Sequence, residues 1–268
     1  MKKLLTVINL LCVSVATDAQ ISSSQDLRDS LAPTGKLRAS LYLGGPTNVI
    51  VHPTTGEMKG VGYEIGKELA RRLGIPYEPV IYKTPKLLVD DIKSGNWDIA
   101  FIARSSSREE IMKFSEIYLS LEQGFLVPAD SPIKTMNEVD RPGIRVGVPS
   151  GGSVISRVAG ILSDEKLIEI GMPQAADLIS SGAVDVFSAN KGNLFQISDQ
   201  LPGSRVLDGY FTVDEFALGV PMEREIEMSF FHQFIEEIKS QGLIEAASKK
   251  AGVRGVFDQK LSDKKINR

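Results

Sequence analysis

Between Lys36 and Ile102 the chain alternates between two hydrophobic periods, and this alternation restricts the available folds more than any other feature. In "KLRASLY" the apolar Leu37, Ala39 and Leu41 recur at period two, the pattern of a half-buried strand, and Gly44, Gly45 and Pro46 end it. In "GYEIGKELARRLG" Ile65, Leu69 and Leu73 recur every four residues, as on one face of a helix, and Gly74 supplies its stop. "YEPVIY" is strand-like, "PKLLVDDIKSG" is a second amphipathic helix closed by Gly95, and "WDIAFI" is a third strand. Such β–α–β–α–β alternation predicts a sheet with parallel strands packed between helices.

The same series starts again further on. "GIRVGVP", "KLIEI" and "VDVFSA" read as strands, with "GSVISRVAGIL" and "QAADLISSG" as helices between them. Two more strand-like segments, "GFLVP" and "FALGVP", bracket this second unit and look like crossovers between two lobes. The predicted fold class is therefore α/β with two lobes. One lobe takes residues 36–125 with 217–257, the other residues 126–216, and the hinge lies near Gln123 to Pro128 and Phe216 to Val220. A long helix over "REIEMSFFHQFIEEIKSQG" carries Ile226, Phe230, Phe234 and Ile238 at spacing four, and a charged tail follows over 258–268. The stretch "REEIMKF" is expected to be helical, starting just after the strand "WDIAFI".

The first residues, "MKKLLTVINLLCVSVATDAQ", set two lysines before an apolar run and then small residues, the order of a secretory signal peptide. We expect cleavage after Ala19, with Ala16 as the alternative, and export to the periplasm. The only cysteine, Cys12, lies within that segment, so the mature chain is expected to have no disulfide, thiol nucleophile or thiolate metal site. With 31 basic against 34 acidic residues and no basic cluster, a nucleic-acid partner is not expected, and a small-molecule partner is.

Enzyme motifs are sparse. His52 and His232 sit in no metal-ligand spacing, "GVGYEIG" has one residue too many for a dinucleotide fingerprint, and "GVPSGGS" does not match G-x-S-x-G. No metal or cofactor is expected. Donor chemistry is present instead. At "ARSSSREEIMKF" a strand ends in serine hydroxyls and Arg108, whose guanidinium offers a two-pronged fork to a carboxylate. The fork is as compatible with a surface pair to Glu109 or Glu110. At "VGVPSGGSVISRV" Gly151 and Gly152 let backbone approach a ligand, while Ser153 is placed either to cap a helix or to donate its hydroxyl.

The blocks "GVGYEIGKELARRLGI", "LLVDDIKSGNWDIAF", "SSSREEIMKFSEIYLSLEQGFLVP", "IRVGVPSGGS" and "LISSGAVDVFSAN" follow one another as in the family 3 extracellular solute-binding proteins, which the chain resembles from about residue 36 to about residue 250. The resemblance implies the type II periplasmic binding protein fold: two α/β lobes joined by crossover strands and closing over a ligand. It also implies a monomer that delivers an amino acid or related carboxylate to an ABC permease in the inner membrane. By the same resemblance Arg108, six residues before Phe114, stands where the ligand carboxylate is gripped, with Ser105 and Ser153 assisting from either lobe. Gly152 brings in backbone, Tyr42 is a candidate lining aromatic, and Ala103 occupies a place often held by a hydroxyl residue.

Where the family usually carries an aspartate for the ligand ammonium, this chain has Asn190. The resemblance thus leaves open a carboxylate without an ammonium, or an ammonium that pairs with Glu122. The sequence is also similar to cyclohexadienyl dehydratases of the same fold, but Asn193 stands where their proton-donating acid is expected, and an amide supplies no such proton. A ligand-sensing module for a membrane receptor would use the same binding chemistry.

Overall fold

The computed structural model describes residues 25–43, 45–162, 167–224 and 228–257. The expected signal peptide with Cys12, Ile226 of the last long helix and the tail from residue 258 lie outside the described residues.

A short helix over residues 25–31 (α1) precedes the first α/β unit: β1 (Leu37–Tyr42), α2 (Val61–Leu73), β4 (Tyr77–Tyr82), α3 (Pro85–Asp90) and β5 (Ile99–Ala103). A small antiparallel pair, β2 (Ile50–Val51) with β3 (Met58–Lys59), is inserted before α2. Strand β1 lies between β4 and β5 and is parallel to both, as the alternation predicts. Ile65, Leu69 and Leu73 are buried on one face of α2, with Val61, Gly62, Gly66 and Ala70 beside them. Gly62 is needed there: a Cβ would come within 2.8 Å of the Phe101 Cβ, so the helix can lie against β5 only without one.

The second unit has β7 (Val146–Pro149), α5 (Val154–Val158), β8 (Leu167–Ile170), α6 (Ala175–Ser180), β9 (Val186–Asn190) and α7 (Lys191–Ser198). Strand β7 lies parallel between β8 and β9. Each unit buries its own apolar residues on both faces of its sheet. Leu41, Ile65, Phe101 and Phe231 belong to one cluster and Leu88, Trp97 and Ile102 to another; Phe125, Val148 and Val186 form a third and Phe187, Ile179 and Leu194 a fourth.

Strands β6 (Met112–Val127) and β11 (Thr212–Pro221) tie the two units into one mixed sheet of order β4-β1-β5-β11-β6-β9-β7-β8, with β10 (Arg205–Val206) paired to β6. They are much longer than "GFLVP" and "FALGVP" suggest. The helix expected over "REEIMKF" is instead a single turn, α4 (Ser106–Glu109), after which β6 begins at Met112. Pairing of Met112, Lys113 and Phe114 with Pro221, Val220 and Gly219 overrides the helical propensity of that stretch.

Between its pairing with β5, which ends at Phe216, and the pairing of β6 with β9, which begins at Gln123, the sheet narrows to a waist. Residues Ser120 to Glu122 and Thr212 to Glu215 form it, just N-terminal to both expected hinge segments. The chain end adds a third leg. After α8 (Met228–Ser240) and α9 (Leu243–Ala251) in the first lobe, Val256 bridges Leu121, Phe257 N donates to Ser120 O at 2.9 Å, and Glu122 N donates to Gly255 O at 3.1 Å. The same segment grips the second lobe: Arg254 pairs with Asp199 and lies 5.0 Å from the Phe195 ring centre. No described helix is long and apolar enough to cross a membrane.

Candidate functional site: a cavity between the lobes

The carboxyl ends of β1, β5, β7 and β9 converge on the waist, where loops face one another across the sheet edge, as ligand sites in open α/β sheets do. A cavity of about 30 Å³ lies there. Tyr42, Ala103 and Arg108 line it from the first lobe, Gln123 and Asp214 from the two connecting strands, and Gly152, Ser153, Asn190 and Asn193 from the second lobe.

Arg108 comes off the single turn α4 and is only 6% exposed. Its Nη1 donates to Ala103 O at 2.5 Å, and its Nη2 crosses to the second lobe to donate to Gly151 O at 2.8 Å. Burial pulls its pKa down, while the neighbouring Tyr42 and Asp214 favour the charge; a guanidinium starts so high that it remains protonated. Burial is also the main reason the Tyr42 hydroxyl is pushed up, so that side chain is a neutral phenol beside the guanidinium.

Contact between the lobes is close at the turn after β7. Gly151 has φ +66°, and a Cβ there would come within 2.6 Å of the Lys86 backbone of the first lobe. Glycine is required twice over at this position, for its left-handed backbone and for the approach. Ser153 caps no helix; its Oγ donates to Asp214 Oδ1 at 2.5 Å, from the second lobe to the connecting strand. Four residues on, Arg157 donates to Thr212 Oγ1 at 3.1 Å, to Val213 O at 2.5 Å and to Arg104 O at 3.3 Å, so one guanidinium spans second lobe, waist and first lobe.

The structure brings six of the eight expected residues to the cavity: Tyr42, Ala103, Arg108, Gly152, Ser153 and Asn190. Ser105 is not among them. Its hydroxyl meets that of Ser107 at 3.2 Å and lines the groove outside the cavity with Lys86, Gly152 and Ser156. Of the serine hydroxyls and guanidinium expected to act together at this junction, Arg108 is the one that lines the cavity. Glu122 lies off the cavity as well, ion-paired to Lys191 Nζ at 2.6 Å. Asn190 lines the cavity, but its Oδ1 accepts from Asn193 N at 3.1 Å and so caps α7. His52 turns its ring inward on its own loop, Nδ1 accepting from Thr54 and Thr55 N, and the His232 side chain is 45% exposed; neither lines the cavity.

Asp214 and Gln123 were not evident from the sequence as site residues. Both lie on the inward face of strands read as simple crossovers, and period two offered the available clue: Asp214 shares a face with Phe216 and Leu218, and Gln123 with Leu121 and Phe125. A buried carboxylate in such a row breaks the apolar pattern without a structural reason.

Two α/β lobes built on one sheet, a narrow waist between them and a charged cavity lined by both define the type II periplasmic binding protein fold. More narrowly, the chain belongs to the bacterial extracellular solute-binding proteins, family 3, whose model matches residues 46–253. Among characterised relatives, the glutamine-binding protein of Geobacillus stearothermophilus is 22% identical over 213 residues, covering 78% of this chain and 81% of that one. A mutant of the ArgBP of T. maritima superposes with a TM-score of 0.73 at 21% identity, covering 83% of this chain and 97% of the other. AncCDT-1, an ancestral amino acid-binding protein and precursor of cyclohexadienyl dehydratase, superposes equally well at 0.73 with 19% identity, covering 83% and 98%.

Proposed function

We propose that this protein is the exported binding component of an ABC importer, a monomer that captures a small carboxylate-bearing ligand, an amino acid or related organic acid, between its lobes and presents it to a membrane permease. The observation that carries this reading is Arg108: a buried guanidinium at a cavity lined by both lobes, its fork directed at oxygen acceptors from each of them. Such a group binds carboxylates with two parallel charge-assisted hydrogen bonds. Membership of the family and the name of the glutamine-binding relative support the solute class.

With the lobes together Arg108 donates to Ala103 O and Gly151 O. Opening at the waist frees the second of these bonds, a ligand carboxylate takes its place, and reclosure brings Ser153 and the backbone at Gly152 down on the guest. The chemistry is binding without turnover. Asn193, at the place of the dehydratase acid, brings an amide to the cavity and no transferable proton.

Thermal-shift screening of the mature chain against amino acids, keto acids and dicarboxylates tests the reading. A bound ligand is expected to raise the melting temperature in proportion to the logarithm of its concentration over Kd. No shift with any carboxylate, or an undiminished shift in Arg108→Ala, would refute it.

A further inference from the structure

We propose that Arg254 and Asp199 form a breakable, salt-sensitive latch between the lobes, carried by the segment from Val253 to Phe257 and fastened only while the lobes are together. This inference rests on the parting of the lobes at the waist proposed above; it concerns the empty protein and requires no ligand to be named.

The segment is held at two places that belong to the first lobe and the waist. It leaves α9 through a helix end in which Gly252 N donates to Lys249 O at 3.1 Å and Val253 N to Ser248 O at 2.9 Å. It then joins the waist, where Val256 bridges Leu121 and Phe257 N donates to Ser120 O. Between these two anchors it lies against α7 of the second lobe.

Helix α7 meets it with one face. Gly192, Phe195 and Asp199 follow one another at i, i+3 and i+7, the spacing of a single helical stripe. Arg254 O lies 3.3 Å from where a Cβ on Gly192 would stand, and the guanidinium carbon of Arg254 lies 5.0 Å from the Phe195 ring centre. Both terminal nitrogens of that guanidinium donate to the Asp199 carboxylate, Nη1 at 3.2 Å. At Gly255 a Cβ would run into Lys191 Cβ, so the backbone of the segment rests directly on the first turn of the helix.

The start of the same helix also serves the cavity, which Asn190 and Asn193 line. Helix α7 therefore has the cavity on one side and the segment on another. A rotation of the second lobe that widens the cavity draws α7 away from a segment fixed to the first lobe and the waist, and the contacts of Arg254 are the ones that give way.

Exposure makes this pair a latch instead of a rivet. The side chains of Arg254 and Asp199 are 44% and 62% exposed. An exposed ion pair shifts an equilibrium by about two- to five-fold and weakens as salt screens it. The cleft-spanning bonds of Arg108 and Arg157 end on neutral oxygens and are at least partly buried, so salt acts on them less.

The test measures the ratio of closed to open forms in the mature chain without ligand. Spin labels are placed on Lys67→Cys in α2 and Ser180→Cys in α6, both exposed positions, and their separation is read by double electron–electron resonance. The only native cysteine, Cys12, precedes the expected cleavage site. At about 0.02 M salt, Arg254→Ala is expected to lower the closed-to-open ratio by about two- to five-fold. A variant that also carries Asp199→Ala is expected to go no further, because both changes remove one interaction. Raising salt to about 1 M, where the screening length is about 3 Å, is expected to lower the wild-type ratio by a similar factor and to leave Arg254→Ala almost unchanged. A ratio unaffected by Arg254→Ala, an equal salt response in both chains, or effects of the two changes that add overturns the latch and leaves opening at the waist standing. One and the same separation under every condition overturns the opening and the latch together.

Discussion

Arg108 in one lobe and Gly151 in the other are joined directly, Nη2 to carbonyl oxygen at 2.8 Å, so the group proposed for ligand capture also ties the two lobes together. Ligand affinity is then an exchange: a carboxylate must better the carbonyl it displaces. A charged acceptor does so because ionic hydrogen bonds are roughly twice as strong as neutral ones.

Replacing Arg108 by alanine is therefore expected to weaken carboxylate binding by about 2–5 kcal/mol, the usual loss when one partner of a buried charged pair is removed. Arg108→Lys should recover only part of this, since an ammonium cannot present two coplanar donors. Calorimetric titration with the best ligand from the thermal-shift screen reads both; wild-type affinity in the lysine variant would show that the fork geometry is unimportant.

Arg157 fastens second lobe, waist and first lobe through three acceptors. Arg157→Ala should shift the ligand-free equilibrium toward open forms by about 1–2 kcal/mol, as hydrogen bonds of this kind contribute roughly 1 kcal/mol each. Small-angle scattering would register this as a larger radius of gyration without ligand that returns to the wild-type value when ligand is added. An unchanged radius in both states would contradict it.

Away from the cleft, Asp98 is fully buried and receives Arg38 through its backbone N, Nε and Nη2, and Arg224 through Nη2 at 2.8 Å. This carboxylate ties the start of β1, the end of the α3 unit and the turn after β11 into one node. Asp98→Asn leaves two guanidinium groups short of their anion, and we expect a loss of about 3 kcal/mol in denaturant unfolding. A change below about 1 kcal/mol would mean that water replaces the carboxylate at little cost.

Acid stability has an identifiable contributor in Glu68. The Arg71 hydrogen bonds, with those of Arg72 behind them, hold its pKa at about 2 against an ordinary 4.5, despite the opposing effect of burial. A depressed folded-state value stabilises the protein above the unfolded value, and that stability is lost as pH falls through the interval toward 2. Glu68→Gln should accordingly flatten the decline in melting temperature between about pH 4.5 and pH 2. Identical slopes in variant and wild type would remove Glu68 from the explanation.

Much of this fold is legible in the chain because period and spacing are local properties. Leu37, Ala39 and Leu41, or Ile65, Leu69 and Leu73, announce their element without reference to anything distant. In the last long helix the described stripe runs through Phe231, Phe234, Ile235 and Ile238, with Phe230 only partly buried, because a helical face drifts from strict spacing of four. What was not legible depends on pairing across the sequence. Met112 to Phe114 are strand because Gly219 to Pro221 lie beside them. Ser105 misses the cavity because its hydroxyl meets Ser107 along the outer groove, Glu122 because Lys191 claims it, and Asp214 gains its place from a waist that no local pattern marks.

The segment from Val253 to Phe257 gives the molecule a mechanical property that two connecting strands alone do not supply. Two struts permit both bending and torsion, so a pair of bodies joined that way can swivel as well as shut. A third strut, anchored to Leu121 on one side and to Asp199 on the other, is expected to oppose the swivel and favour a single axis of travel. For the opening proposed above, a jaw-like stroke is therefore expected, and a chain shortened to end before Val253 is expected to swivel as well.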